Sequence, residues 1–454
     1  MVSPFLPRNV VKLSTIQETL AQLDVRPSKR LGQNFLHDQN LAGWITAQLD
    51  LEESDCLVEI GPGLGALTER ALGRCRSAIL IEKDRRLAEF LRNAYASEKV
   101  EVIQGDAVDF DVGTLFERAP VKVLGNLPYC ITSPILFKFT AEPSPVQKMV
   151  FTIQRELAQR LTAEPSTKEY GALTVIIHRR WRVNYLRTLP GSVFLPRPKV
   201  DSAVISLVPR EPGELPECDG TTFDGLVKTG FSQRRKQLRK FVPRGVDWQA
   251  FAAKFGIPAQ ARAEELTPLQ WIELANAVHP VEAGAAQNVH GELFDVVDEG
   301  DRVIASKSRH EVHTRGLLHR AVHVFVFNRA GELFLQKRSR WKDAHPSRWD
   351  SSAAGHVDAG RDYDETAVRE LREELGIEGA VALVASIPAS DRTGHEFVHL
   401  YKAENEGPFV LARSEIECGE FFPVPLIRRW IRNRPQDFAT GFIECLRFFE
   451  ETRR

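Results

Sequence analysis

Three stretches of this chain carry residue types whose spacing could do chemistry, and the first is a set of strand ends. Gly61, Gly63 and Gly65 form a G-x-G-x-G turn directly after the apolar run 57–60. Glycine permits a tight turn and lets a ligand approach the backbone. Alone, such a turn fits several kinds of nucleotide fingerprint, or a purely structural turn. Glu82 closes the next apolar run, about twenty residues on, where a carboxylate accepts hydrogen bonds from ribose hydroxyls. Asp106 closes the third run after Gly105, within reach of an adenine amino group. The segment GNLPYC (125–130) follows a fourth run. An exocyclic amine on a purine is a poor nucleophile because its lone pair is delocalised into the ring. Acceptors that hold its two hydrogens turn the lone pair toward an electrophile. An Asn amide oxygen and a backbone carbonyl beside a proline do this, and an aromatic ring stacks on the base. Asn126, Leu127, Pro128 and Tyr129 supply those parts, although N-L-P-Y also suits an ordinary turn.

The second stretch, residues 355–377, reads GHVDAGRDYDETAVRELREELGI. Glu370, Glu373 and Glu374 fall at i, i+3 and i+4 and so share one helix face. Like charges there destabilise a helix, and a divalent cation would relieve them. Carboxylates suit Mg2+, which also binds substrate phosphates, or Mn2+. Three acids alone equally fit a solvated face. The third stretch is basic. Seven Lys and Arg residues and no acid lie between Lys228 and Arg244, among them Arg234, Arg235, Lys236, Arg239 and Lys240. HRRWRVNYLR (178–187) adds a second basic stretch with Trp181 and Tyr185 interleaved. Together they suit a surface that tracks nucleic-acid phosphates, while part of the run is a solvated face.

The elements that must position these residues follow from periodicity. Apolar runs at 57–60, 78–84, 100–106 and 121–126 alternate with helical patterns at 67–75 and 87–94, which predicts a parallel α/β sheet. The runs 172–177 and 203–208 are expected to add strands. Residues 210–220 read as a linker and 222–278 as helical, with breaks near Pro243 and Pro258. Residues 281–290 read as an interdomain linker, after which strand-rich segments surround a helix near 364–375, the pattern of a separate α+β domain. The expected organisation is a lead-in at 1–26, a catalytic core at 27–209, a helical domain at 210–280, the linker 281–290 and a final domain at 291–454.

Length agrees with several domains: the chain has 454 residues, and a domain usually takes roughly 100–200. The net charge of −1 argues at face value against a nucleic-acid partner. Counted by segment, residues 151–280 carry 19 basic and 13 acidic side chains, and residues 281–454 carry 24 and 29. The average conceals a basic middle and an acidic tail. Six cysteines (Cys56, Cys75, Cys130, Cys218, Cys418, Cys445) form no CxxC pair, which fits reduced thiols. No apolar run approaches a membrane span, and the N-terminus lacks the apolar core of a secretory signal. A soluble cytoplasmic protein with no membrane partner is expected.

Two resemblances sharpen this reading. KRLGQNFL (29–36), EIGPGLGALT (59–68), IEKD (81–84), GD (105–106), NLPY (126–129), FLPRPKVDSAV (194–204) and FSQRRKQLRK (231–240) make residues 27–280 resemble the small-subunit ribosomal RNA adenine dimethyltransferases. The resemblance implies a Rossmann-like S-adenosylmethionine-dependent methyltransferase with a small helical C-terminal domain. Its reaction would place two methyls on N6 of each of two adjacent adenines near the end of the small-subunit RNA, with the small ribosomal subunit as partner. Cofactor contacts carry over onto Asn34, Leu36, Gly61, Glu82, Asp106 and Asn126, and target-base contacts onto Asn126, Leu127, Tyr129 and Phe194. Cys130 departs from the polar residue frequent after NLPY. The tail resembles the Nudix box, G-x5-E-x7-R-E-U-x-E-E-x-G-U with U aliphatic. Gly355, Arg369, Glu370, Leu371, Glu373, Glu374, Gly376 and Ile377 match in register. This implies an α+β Nudix fold and a Mg2+-dependent hydrolase of a small diphosphate compound. Arg361 stands where the first Glu belongs, so Asp362, Asp364 or Glu365 is expected to pair with Arg369 instead, and a non-catalytic binding or regulatory module is the alternative. Residues 291–356 resemble one Nudix branch more closely, the one that includes isopentenyl diphosphate isomerase, whose metal-binding histidines stand near His313, His319 and His356, and one of whose acids stands near Glu396; single histidines here fit a structural role as well as a ligating one. Ala354 and Gly394 occupy the positions of its cysteine and its other acid, so isomerase activity is not expected.

Overall fold

The computed structural model describes residues 13–28, 31–211, 213–278 and 292–452. Residues 1–12 of the expected lead-in, Lys29 and Arg30 of the KRLGQNFL motif, and the expected linker 281–290 lie outside the described residues. The chain divides into two compact units. One comprises Met1–Pro216, Leu226–Val242 and Trp248–Trp271, the other Glu217–Gly225, Pro243–Asp247 and Ile272–Arg454. The segment 210–280 is therefore shared between them.

In the first unit the strands are β1 (Cys56–Ile60), β2 (Ser77–Glu82), β3 (Val100–Gln104), β4 (Val121–Asn126), β5 (Val146–Gln154), β6 (Trp181–Leu189) and β7 (Ser202–Pro209). Their order across the sheet is β3-β2-β1-β4-β5-β7-β6. The first five run parallel, and β7 pairs antiparallel with both β5 and β6. β1 is buried along its whole length, as a central parallel strand covered on both faces must be. Its alternate residues feed two cores: Val58 and Ile60 pack with Val123, Leu136 and Phe151, while Leu57 packs with Leu80, Leu124 and Ile45. The helix Arg85–Ala94 begins at Asp84, whose carboxylate caps the Arg86 and Leu87 amides. The helix Leu13–Gln22 sets Ile16 and Leu20 against Phe35, Leu64 and Leu87.

Two expectations fail here. Residues 172–177 form a helix, Ala172–His178, instead of a strand, and β5 and β6 form where no strand was expected. A short apolar run fits a buried helix as well as a buried strand, and the Thr174 hydroxyl, bonded to the Arg160 carbonyl, ties this run to the helix Arg155–Leu161. The expected helical stretch is three helices, Gly220–Ser232, Trp248–Lys254 and Pro268–Val278. Within the first unit, Phe231 lies between Tyr170 and Trp271, at 6.2 and 5.9 Å between ring centres.

The second unit contains β8 (Leu293–Val297), β9 (Val303–Ser308), β10 (His319–Phe327), β11 (Glu332–Arg338), β12 (Trp349–Asp350), β13 (Ala353–His356), β14 (Ala382–Ile387), β15 (Glu396–Glu404) and β16 (Ile416–Pro423). β8 and β9 form a hairpin, and the other seven a mixed sheet centred on β10, which pairs parallel with β15 and antiparallel with β13. Val322, Val324 and Val326 face Ala367, Leu371 and Leu375 of the helix Tyr363–Leu375. Phe325 and Phe327 face Phe442 and Phe449 of the C-terminal helix Thr440–Glu451. Helices thus cover both faces, where one central helix was expected. No described helix is long and apolar enough to cross a membrane.

Candidate functional sites

The carboxyl ends of β1, β2 and β4, with the turn after β3, open on one pocket. Asn34, Leu36, Gly61, Glu82, Asp106 and Asn126 all line it. After β1 the chain enters left-handed backbone at Gly63 (φ 59°), and the Gly63 amide donates to Glu82 Oε2 at 3.1 Å. Glu82 Oε1 accepts from the Asp84 amide at 2.9 Å, and burial pushes this carboxyl up from its ordinary range. Asp106 accepts from Lys83 Nζ and, at 3.1 Å, from the Val108 amide. The Lys83 ammonium holds its carboxyl below the usual range. Two carboxylates of unlike environment therefore stand at neighbouring strand ends, suited to ribose and amine donors.

Asn126 ends β4 and donates from Nδ2 to the Asn34 carbonyl at 2.7 Å. The Pro128 carbonyl is occupied, accepting from the Ile131 amide at 3.1 Å and Thr132 Oγ1 at 3.0 Å. Among the described residues nothing donates to the Leu127 carbonyl, so of the two carbonyls beside the proline it is the one left for a substrate amine. The Leu127 side chain is core, 2% exposed, and contributes through its backbone alone. Tyr129 bonds to Ser202 Oγ at 2.8 Å. Phe194 is 4% exposed and opposite Leu36 in a two-residue ladder. It lies in the core next to the pocket, and neither its ring nor that of Tyr129 lines the pocket.

The sequence reading missed Glu59, which lines the same pocket. It is 1% exposed, accepts from Thr68 Oγ1 at 2.6 Å, and is pushed up to about 7 by burial. A lone acid inside the run LVEI was the available signal. Gln33 and Lys83 also line the pocket.

In the basic middle, Arg235, Lys236, Arg239 and Lys240 are exposed. Arg234 is engaged internally, paired with Glu264 and donating to the Thr167 carbonyl at 3.0 Å. Trp181, expected among the interleaved aromatics, is buried at 2% and donates from Nε1 to the Thr140 carbonyl at 3.0 Å. Arg182 is paired with Glu214.

In the second unit the helix Tyr363–Leu375 is capped by Asp362, whose side chain accepts from the Glu365 amide, and ends at Gly376 in left-handed backbone. Glu370 and Glu374 point inward and are buried, while Glu373 is exposed. Glu374 Oε2 accepts from Gln336 Nε2 and from the Ala354 amide, each at 3.0 Å. A Cβ added at Gly355 would fall 2.2 Å from Glu370 Oε1, so the glycine is what admits that carboxylate. Burial pushes Glu370 up to about 7 and Glu374 well above the usual range; the Glu373 carboxylate adds to the first shift and the Glu370 carboxylate to the second. The expected pairing of Arg369 with Asp362, Asp364 or Glu365 does not form. Asp362 is the cap, Asp364 accepts from the Tyr401 hydroxyl, Glu365 meets Arg361, and Arg369 pairs with Asp358.

His313, His319 and His356 each place one ring nitrogen within 4.8 Å of the others'. His319 donates from Nδ1 to the Leu317 carbonyl at 2.9 Å, and its buried Nε2 has no hydrogen-bond partner. Glu396 Oε1 lies 3.1 Å from His356 Nε2 and 3.6 Å from His319 Nε2. Partial desolvation and the neighbouring His356 and His319 rings push His313 down to about 4, although its surface remains open to solvent.

Comparison with known proteins agrees with both units. The family model described as ribosomal RNA adenine dimethylase matches residues 26–279, and that of the NUDIX domain matches residues 317–440. The chain is 40% identical over 259 residues to the ribosomal RNA small subunit methyltransferase A of Prosthecochloris aestuarii, covering 57% of this chain and 97% of that protein. Among solved structures it is similar to a dimethyladenosine transferase from Plasmodium falciparum (25% identity, 53% of this chain, 95% of that one, TM-score 0.44). It is also similar to the MutT protein from Methanosarcina mazei (19% identity, 30% of this chain, 91% of that one, TM-score 0.25). The family match spans more than half of the residues, and the chain belongs to the ribosomal RNA adenine dimethylases, with a Nudix domain following the methyltransferase part.

Proposed function

We propose that the first unit dimethylates N6 of two adjacent adenosines near the 3′ end of small-subunit ribosomal RNA, using S-adenosylmethionine. The observation that carries this reading is the convergence of Asn34, Leu36, Gly61, Glu82, Asp106 and Asn126 on one pocket, at the strand ends where open α/β sheets bind ligands. When bound, the cofactor supplies an electrophilic methyl on a sulfonium. Glu82 accepts from the ribose hydroxyls and Asp106 from the adenine amine. The Asn126 amide oxygen and the Leu127 carbonyl take the hydrogens of the target amine, Pro128 shapes the loop, and Tyr129 and Phe194 border the base. The adenine has to leave its stack to arrive there, and alignment supplies much of the rate. Arg235, Lys236, Arg239 and Lys240 are the exposed cations for RNA phosphates, with Arg234 holding their loop. The test is transfer of labelled methyl to unmethylated small ribosomal subunits. Asn126→Ala should still bind S-adenosylhomocysteine yet transfer no methyl, and normal dimethylation by it would overturn the reading.

For the second unit the supported reaction is Mg2+- or Mn2+-dependent hydrolysis of a diphosphate linkage in a small nucleoside-diphosphate-type molecule. Glu370 and Glu374 are buried carboxylates, the first sharing one oxygen with Arg369 and the second held only by neutral donors, a donor set that fits a hard divalent cation. Glu373, on the outer side of the helix, is the box acid open to solvent and substrate. Such an ion would polarise the phosphoryl oxygen and the attacking water. A screen of diphosphate substrates with Mg2+ tests this, and a Glu373→Gln chain with full metal-dependent turnover removes that residue from the mechanism. A tail that binds the same molecules without turnover would favour the non-catalytic reading. Three imidazole nitrogens and the Glu396 carboxylate suit a borderline transition ion rather than Mg2+, and the unpartnered His319 nitrogen favours a second metal there. Metal analysis of the purified chain against His319→Ala decides it.

A further inference from the structure

The Asn126 amide has two unlike ends, and only the oxygen end serves the chemistry proposed above. The segment Leu31–Leu36 lines the cofactor pocket along its whole length and also touches the catalytic loop at two points. The Asn34 carbonyl lies 2.7 Å from Asn126 Nδ2. A carbonyl has no proton to give, so the amide end facing it is the nitrogen, and Oδ1 is turned the other way as an acceptor. Gly32 sits against Pro128: a Cβ there would fall 2.6 Å from Pro128 Cβ, and Gly32 has φ +60°. The Asn34 side chain donates back to the Gly32 carbonyl at 3.1 Å, which ties these two contacts into one turn. At its far end the segment is fastened by the Leu36–Phe194 pairing and by the His37 amide on the Val193 carbonyl at 3.1 Å.

We infer that Gly32 and the Asn34 carbonyl are positioning elements for the methyl-transfer step: they set which end of the Asn126 amide meets the target amine. This rests on the methyltransferase reading. A rotated amide would present donors to a donor, and the amine's lone pair would lose its alignment with the methyl. The role belongs to the chemical step, separate from the affinity of the pocket.

The test uses the full chain, unmethylated small ribosomal subunits for single-turnover transfer, and calorimetric binding of S-adenosylhomocysteine. Gly32→Ala lifts the segment from Pro128. The transfer rate is expected to fall by roughly ten- to a hundredfold, well beyond any weakening of S-adenosylhomocysteine binding through the same pocket-lining segment, a split that a general loss of structure would not produce. Asn126→Asp gives a second route if Gly32→Ala does not fold. It keeps an acceptor oxygen but has no proton for the Asn34 carbonyl, so transfer should fall to the level of Asn126→Ala. Near-normal transfer by either variant, or a rate loss in Gly32→Ala matched by an equal loss of binding, overturns the inference. A wild-type chain that neither binds S-adenosylhomocysteine nor transfers methyl instead refutes the methyltransferase reading itself.

Discussion

Arg369 donates from Nη1 to Asp358 Oδ2 at 2.7 Å. The same guanidinium reaches the His356 carbonyl at 3.2 Å and Glu370 Oε1 at 2.8 Å. Asp358 therefore does the bracing that the box pattern gives to the acid at position 361, where this chain has Arg361. That residue is exposed, 3.5 Å from Glu365.

Asp358→Ala should lower metal-dependent hydrolysis about tenfold, because Arg369 loses its charge-assisted bond and with it the hold on Glu370. Arg361→Glu should change turnover by no more than about twofold, since exposed pairs contribute little. Initial rates on one diphosphate substrate check both. The reverse ranking would show that position 361 governs the loop.

Stability of the second unit should depend on pH and on metal together. Burial pushes the Glu370 carboxyl up to about 7 in the fold, from an ordinary value of 4.5. A carboxyl raised on folding favours the folded state at low pH, and that contribution is lost as pH rises through about 7. Melting temperature in chelator should therefore fall from pH 5.5 to pH 8. Added Mg2+ should reverse most of the fall, since it binds the ionised pair. Glu370→Gln should flatten the profile.

Gly65 has φ +83°, and a Cβ there would lie 2.3 Å from the Tyr95 hydroxyl oxygen. Gly65→Ala should cost about 1–3 kcal/mol from the backbone alone, read as a lower melting temperature, and should weaken S-adenosylhomocysteine binding. Tyr95→Phe in the same chain should recover only part, because it removes the oxygen and leaves the backbone strain.

The basic loop should separate into two roles. Lys236→Ala and Lys240→Ala should weaken RNA association and reduce its salt slope by about one each per lost phosphate contact. Arg234→Ala, which breaks the pair with Glu264, should show mainly as a lower melting temperature. A salt-independent association would remove the phosphate-tracking role from the whole run.

The pocket at the strand ends was legible because its residues are punctuation. Glycine turns and acids at the ends of apolar runs are set by local turn chemistry and strand periodicity, which a linear sequence displays. The helix Tyr363–Leu375 was legible for the same reason, with Asp362 before it and Gly376 after it. Glu59 escaped notice because the lone acid inside LVEI, its one local signal, does not by itself show that the side chain meets the pocket.

By itself the sequence determined the two families, the alternation of strands and helices around the pocket, and the register of the box, since all of these are written in short-range spacing. Only the tertiary structure decided that Asp358 holds Arg369, that Glu373 faces outward while Glu370 and Glu374 face in, and that Trp181 is core. It also decided that Arg234 is a brace, that residues 172–177 form a helix, and that His313, His319 and His356 meet. Each of these depends on which distant surfaces pack together, and burial and pairing across tens of residues have no periodic signature along the chain.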